Sequence, residues 1–292
     1  MERQRFRELC ALLREACRGH RQNPRCTHSD ATIVRVLLWA AMHDKSVNWA
    51  CQAKHWPAEL RPRRLPDQST VSRRQYEPGV LTLIERFESH MREQLPTSDI
   101  KLIDGRPLCV GGCSKDPDAK SGHAAGHIQR GYKMHTLSNR HGVVEQWLIT
   151  AMNGSETEAA TLLLEHVTDA AYILADPNYD ANHLYEKAGE RGIQWLAKPK
   201  NRKAKGLAHQ RNSAHRVKVQ PWLRDAVGQR VMNRELIRIE QVHAWQGWAH
   251  VGLRQLPQHV RRRHRVQLWV ALKLVLYHHW LVGRVAARNA AA

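Results

Sequence analysis

Three carboxylates stand where this sequence could do chemistry. Asp104 follows the apolar run "KLI", Asp176 ends the run "YILA", and Glu240 lies in "RIEQVHAW". Each has an ordinary structural reading. Asp-Gly at 104–105 is a favoured hairpin turn, Asp-Pro-Asn at 176–178 starts a type I turn, and a helical Glu faces solvent by default. Together they permit more. Two acids at the ends of neighbouring strands, joined by a third from a helix crossing the sheet, form a hard anionic oxygen site suited to Mg2+ or Mn2+. Two such ions about 4 Å apart could activate a water or sugar hydroxyl and stabilise the leaving oxygen of a phosphodiester. That is the chemistry of a metal-dependent nuclease or strand transferase.

The elements around the acids suit such a site. Residues 1–97 read as helical: "FRELCALLREAC" and "DATIVRVLLWAAMHD" carry apolar residues at helical spacing, with Asp30 as an N-cap for the second. "LPDQSTVSRR" reads as a polar turn before a further amphipathic helix. From 98 the period shortens. "IKLIDG" reads as a strand with "RPLCVGG" as its return, and "GYKMHTLSN" and "VVEQWLITAMN" flank a hairpin loop. "SETEAATLLLEHVTDA" begins with a capping box from Ser155 to Glu158, "AYILAD" is a strand, "NHLYEKAGERG" a short helix, and "IQWLAKP" another strand. Asp180 and Asn182 are expected to share the N-terminal cap of that short helix, with Tyr179 as a packing residue. The basic tract from 199 to about 221 reads as a loop or flexible insertion, and helices resume from Trp222. Strands and helices in this succession form a mixed sheet with helices packed on it, the element order of an RNase H-like fold.

Charge points to the partner. The chain has 46 Lys and Arg against 27 Asp and Glu, a formal net charge of +19, which suits a polyanion and most economically DNA. The N-terminal stretch lacks the uninterrupted apolar core of a signal peptide, and the six cysteines then read as reduced thiols in a cytoplasmic protein, one expected with the nucleoid. Ser72, Arg73 and Arg74 in "TVSRR" have the side chains that reach phosphates. Lys133, and Lys198, Lys200, Arg202 and Lys203 around the start of the basic tract, extend the set of candidate DNA contacts.

Three passages make the sequence resemble the DDE transposases of bacterial insertion sequences, close to the transposase DDE domain of the insertion sequence 4/5-like branch. They are "IDGRPLCVGGCSKDPDAKSG" (103–122), "GYKMHTLSNRHGVVEQWLITAMNGSETEA" (131–159) and "ILADPNYDANHLYE" (173–186). The resemblance implies an RNase H-like catalytic domain over 98–292 behind a helical DNA-binding region over 1–97. It implies Asp104, Asp176 and Glu240 as catalytic metal ligands for a two-metal Mg2+ or Mn2+ site. The implied activity is cleavage at transposon ends followed by attack of the freed 3′-hydroxyl on target DNA. The implied partners are both DNAs and a second copy in a synaptic homodimer. The family signature places Tyr and Arg before the Glu and Lys seven residues after it. Here Leu236 and Gly247 hold the first and last of those places, and Arg234, Arg238 and Arg254 stand as substitutes. Glu235 rivals Glu240, which is preferred because the downstream sequence then aligns. A non-catalytic DNA-binding descendant of a transposase, or an RNase H-like nuclease, are the alternative readings.

Overall fold

In the computed structural model, residues 2–111, 113–124, 126–200, 213–248 and 251–290 are described. The chain divides into two compact units, residues 1–95 with 246–292 and residues 96–245. The first unit is helical: α1 (Glu2–Ala16), α2 (Asp30–Met42), α3 (Val47–Ala50), α4 (Gln68–Arg74), α5 (Pro78–Arg92) and the last helix, α10 (Arg263–Ala290). Its core includes Phe6, Trp39 and Trp56, with Trp39 and Trp56 stacked at 4.7 Å between ring centroids.

Two local signals resolve differently from expectation. Ser29, not Asp30, caps α2, accepting from the Thr32 amide at 3.1 Å. Asp30 sits one residue inside, where it is buried against Arg74 and His20. The polar "DQSTVSRR" is a helix rather than a turn, because Asp67 caps α4 by accepting from the Thr70 amide at 2.8 Å.

The second unit is a mixed sheet with helices. Its strands are β1 (Ile100–Cys109), β2 (Lys120–Ala124), β3 (His127–Asn139), β4 (Val144–Ala151), β5 (Tyr172–Ala175) and β6 (Gln194–Ala197). Helix α6 (Glu156–Leu164) follows β4, α7 (Asn182–Glu190) follows β5, and α8 (Ala214–Arg224) and α9 (Ala226–Gly247) follow β6. β3 pairs antiparallel with β2, β1 and β4, whereas β1, β5 and β6 run parallel. This is an RNase H-like arrangement. Ser155 caps α6, as its capping box indicates, accepting from the Glu158 amide. Part of the expected basic loop is helical, since α8 begins at Ala214, and residues 201–212 lie outside the described set.

The main departure concerns Asp104. The Asp-Gly pair makes no turn: β1 runs straight through it, with Asp104 opposite Thr136 and Gly105 opposite His135 on β3. Pairing with β3 continues on both sides of the Asp-Gly pair, so "RPLCV" extends the strand instead of returning. Among the described residues, no helix is long and apolar enough to cross a membrane.

Candidate active site

Register brings the two aspartates together. The parallel pairing of β1 with β5 ends at Ile103 opposite Ala175, so Asp104 and Asp176 are the next residues along adjacent strands. β1 continues past this point, while β5 gives way to a turn. The carboxyl ends of parallel strands are the usual place for a ligand on such sheets. Asp104 Oδ1 accepts from the Gly105 amide at 2.7 Å. Asp176 caps a short 3-10 turn over Pro177–Tyr179, its Oδ1 accepting from the Asn178 amide at 2.9 Å. The turn chemistry read from "ADPN" is therefore real, and it fixes the carboxylate at the strand end.

Helix α9 carries both glutamates, in different settings. Glu235 is buried beneath Arg140, Arg234 and Arg238, with Arg238 Nε at 2.8 Å from its carboxylate. Its charge is committed to arginines. Glu240 is exposed, and its charge acts on Asp104. One helical turn further on, His243 ties α9 to the sheet. Its Nε2 lies 3.1 Å from Thr136 Oγ1, its Nδ1 lies 3.5 Å from Asp104 Oδ2, and its carbonyl accepts from Arg106 at 3.0 Å. Burial, then the Arg106 charge, pushes the His243 pKa down to about 3, so the imidazole meets Asp104 as a neutral group. Glu240 and His243 are three residues apart and share a helix face. That spacing was the available signal for His243, which the sequence reading passed over.

The electrostatics are those of crowded acids. Burial and the Asp176 charge push the Asp104 pKa up to about 7, with Glu156 and Glu240 adding to the rise and the Gly105 amide opposing it. Asp176 is also raised, first by burial and further by Glu156, against the Asn178 and Tyr179 amides and Lys198. Glu156, in the first turn of α6, is thus a fourth acid of the site, paired with Lys133 at 2.6 Å.

The donor set suits a hard divalent cation: carboxylate oxygens with more negative charge than the nearby lysines balance. Asp104, Asp176 and Glu240 are the residues that would hold it. Among the described residues, no three such side chains already close on one coordination sphere. Binding would therefore draw the acids inward, for which the exposed Glu240 has freedom.

The candidate DNA contacts divide by burial. Arg74 is buried, pairs with Asp30 and Glu77, and donates to the His28 carbonyl at 3.0 Å. Lys133 is buried on β3 and paired with Glu156, beside the acid site. Arg74 was expected to reach phosphates and is instead committed inside the fold. Arg73, Lys200 and Arg254 are exposed, whereas Ser72 and Lys198 are half-buried. Arg234 and Arg238 flank Glu235 with partly exposed side chains. Arg202 and Lys203 lie outside the described residues. Asp180 does not share a helix cap with Asn182, because Ala181 holds the cap position. Its buried carboxylate instead accepts from Arg216 at 2.7 Å, the Lys200 amide at 3.0 Å and the Tyr185 hydroxyl at 3.1 Å, anchoring both ends of the basic tract.

Arg73 and Arg74 give a paired expectation. Arg74→Ala should cost about 3 kcal/mol of stability by stranding Asp30 in a buried setting. Arg73→Ala should leave thermal melting unchanged and weaken duplex binding, with a shallower salt dependence. Melting curves and fluorescence anisotropy at two salt concentrations separate the two residues. Equal melting temperatures for the variants would contradict the burial argument.

Comparison with known proteins adds a family. A family model described as "Transposase DDE domain" matches residues 96–277. A curated relative, "Transposase for insertion sequence element IS1106" from Neisseria meningitidis serogroup B, is 30% identical over 116 residues, covering 38% of this chain and 39% of that protein. No solved structure matches.

Proposed function

The chain belongs to the transposase DDE domain family, and from that premise we propose that it is a DNA transposase that cuts at transposon ends and joins the freed 3′-hydroxyl to target DNA. The observation that carries this reading is the register of β1 and β5, which sets Asp104 beside Asp176, with the charge of Glu240 acting on Asp104. Divalent cations, Mg2+ or Mn2+, would supply polarisation of the scissile phosphate and activation of the attacking water or hydroxyl when bound.

The chain's own groups do the rest. Asp104 and Asp176 present oxygens at the open end of the sheet. Glu240 approaches from α9, held at its distance by the His243 and Arg106 contacts. Exposed Lys200 and Arg73, with the net charge of +19, provide backbone attraction for both DNAs. Bridging two ends calls for two copies, so the working form is a homodimer on DNA.

The test is a cleavage and joining assay with duplexes containing the element's own termini, in Mn2+ or Mg2+ and in chelator. Metal-dependent nicks at the terminus followed by joined products are the expected result. Cleavage without joining would make the protein a nuclease on the same fold, and specific binding without cleavage would make it a non-catalytic DNA-binding protein.

A further inference from the structure

Tyr179 closes the short turn that begins at Asp176. Its side chain is fully buried, yet its hydroxyl has no hydrogen-bond partner. Buried phenols normally find one, because an unpaired O–H gives up its hydration for nothing. Its place is well fixed: the Tyr179 amide donates to the Asp176 carbonyl at 3.2 Å, and the Tyr179 carbonyl accepts from Trp195 Nε1 at 3.2 Å. Loose packing therefore does not explain the free hydroxyl.

The surroundings of that hydroxyl are the acid site. The charges of Asp104, Glu156 and Asp176 all act on it, Asp104 most strongly. It also borders a notch that exists because residue 105 is glycine. A Cβ at Gly105 would lie 3.4 Å from the Tyr179 hydroxyl, 3.3 Å from His135 Nδ1 and 3.1 Å from Lys133 Cδ. His135 Nδ1 is also without a partner, while its Nε2 lies 2.9 Å from Thr150 Oγ1. Asp104 precedes the notch directly, and only one of its oxygens is engaged by the Gly105 amide. The Tyr179 hydroxyl thus borders the same Gly105 backbone whose amide holds Asp104 Oδ1, while Asp104 Oδ2 lies 3.5 Å from His243 Nδ1.

We propose that Tyr179 is a positioning residue of the acid site, its hydroxyl donating a hydrogen bond to the Asp104 carboxylate when Asp104, Asp176 and Glu240 draw together on a divalent cation. This rests on the proposed function. Full burial keeps Tyr179 from touching DNA, so it acts through Asp104. Groups that orient metal ligands from behind typically carry 10- to 100-fold of metal affinity or activity, as order-of-magnitude figures.

Tyr179→Phe tests it, removing one oxygen and no hydrogen bond of this structure. The variant should melt at the same or a higher temperature than the wild type, since an unpaired buried hydroxyl stabilises nothing. Its Mn2+ affinity, read by electron paramagnetic resonance titration without DNA, should fall about 10-fold or more. Cleavage of end DNA at fixed Mn2+ should fall about as far, and duplex binding in chelator should not change. A lower melting temperature with unchanged Mn2+ affinity would mark Tyr179 as structural and overturn the proposal, as would a variant matching the wild type throughout. A wild-type protein that neither binds Mn2+ nor cuts DNA would instead sink the functional reading itself, so the two failures are distinguishable.

Discussion

Asp176→Asn should lose end cleavage by about 1,000-fold or more, the scale on which transition-state charge stabilisation is lost when one key group is removed. Asparagine is the informative substitution at this position. Asp176 caps the 3-10 turn through its Oδ1, and Asn caps as well as Asp, so the turn and the Tyr179 ring behind it should stay in place. What changes is the charge and the metal-binding oxygen. Loss of one negative charge at the strand ends should leave duplex affinity equal or slightly higher. Gel-shift titration in chelator, alongside the cleavage assay in Mn2+, measures both. If the variant still cut its own element's ends at the wild-type rate, Asp176 would have no catalytic part.

Asp104→Asn should stabilise the metal-free protein at pH 8 and leave it nearly unchanged at pH 4. The sign follows from the raised pKa. Folding shifts the Asp104 carboxyl from an ordinary 3.8 to about 7, so between these values the folded state holds a proton that the unfolded state has released. Stability from the neutral, buried acid is complete below the ordinary value and is lost as pH rises through 7. Asparagine cannot ionise and keeps it. The gain at pH 8 should be about 2 kcal/mol, a figure reduced because a quarter of the side chain is exposed. Denaturant titrations of both proteins at the two pH values, in chelator, provide the readout. Adding Mn2+ at pH 8 should narrow the gap by stabilising the wild type alone. Parallel pH curves for the two proteins would refute the crowding of charge at Asp104.

Much of the site could be read in advance because its signals are local. The apolar run into Asp176 and the N-cap at Ser155 each specify their geometry within a few residues, and both appear in the structure. What could not be read depends on distant partners. Whether Asp104-Gly105 turns or continues is decided by β3, about thirty residues later, which offers its ladder along the whole of β1. β2 is mostly polar and exposed, with no alternation to announce it. Glu156 looks like any first-turn acid on a helix, and nothing in its spacing reveals that Lys133 and the two aspartates face it. Arg74 and Arg73 are neighbours of the same type in one motif, and only the packing of α4 against α2 sends the first inward to Asp30. The same holds for Asp180, whose partners Lys200 and Arg216 lie on either side of the basic tract.

The helical unit is discontinuous in sequence, and this has a consequence for the living cell. Residues 1–95 are translated before the sheet unit, yet the helix that packs on α5 and α2, with Val266, Trp269, Leu272 and Val275 buried, is made after it. Until it arrives, those earlier helices keep an apolar face open to water. Residues 96–245 have no such wait, since among the described residues their sheet has its six strands by residue 197. The sheet unit can therefore assemble during translation while the helical unit must wait for α10. A nascent chain stalled or cut short before residue 263 would carry the paired aspartates on an assembled sheet and Glu240 on α9, while its earlier helices would still be recognised by chaperones and proteases as unfinished.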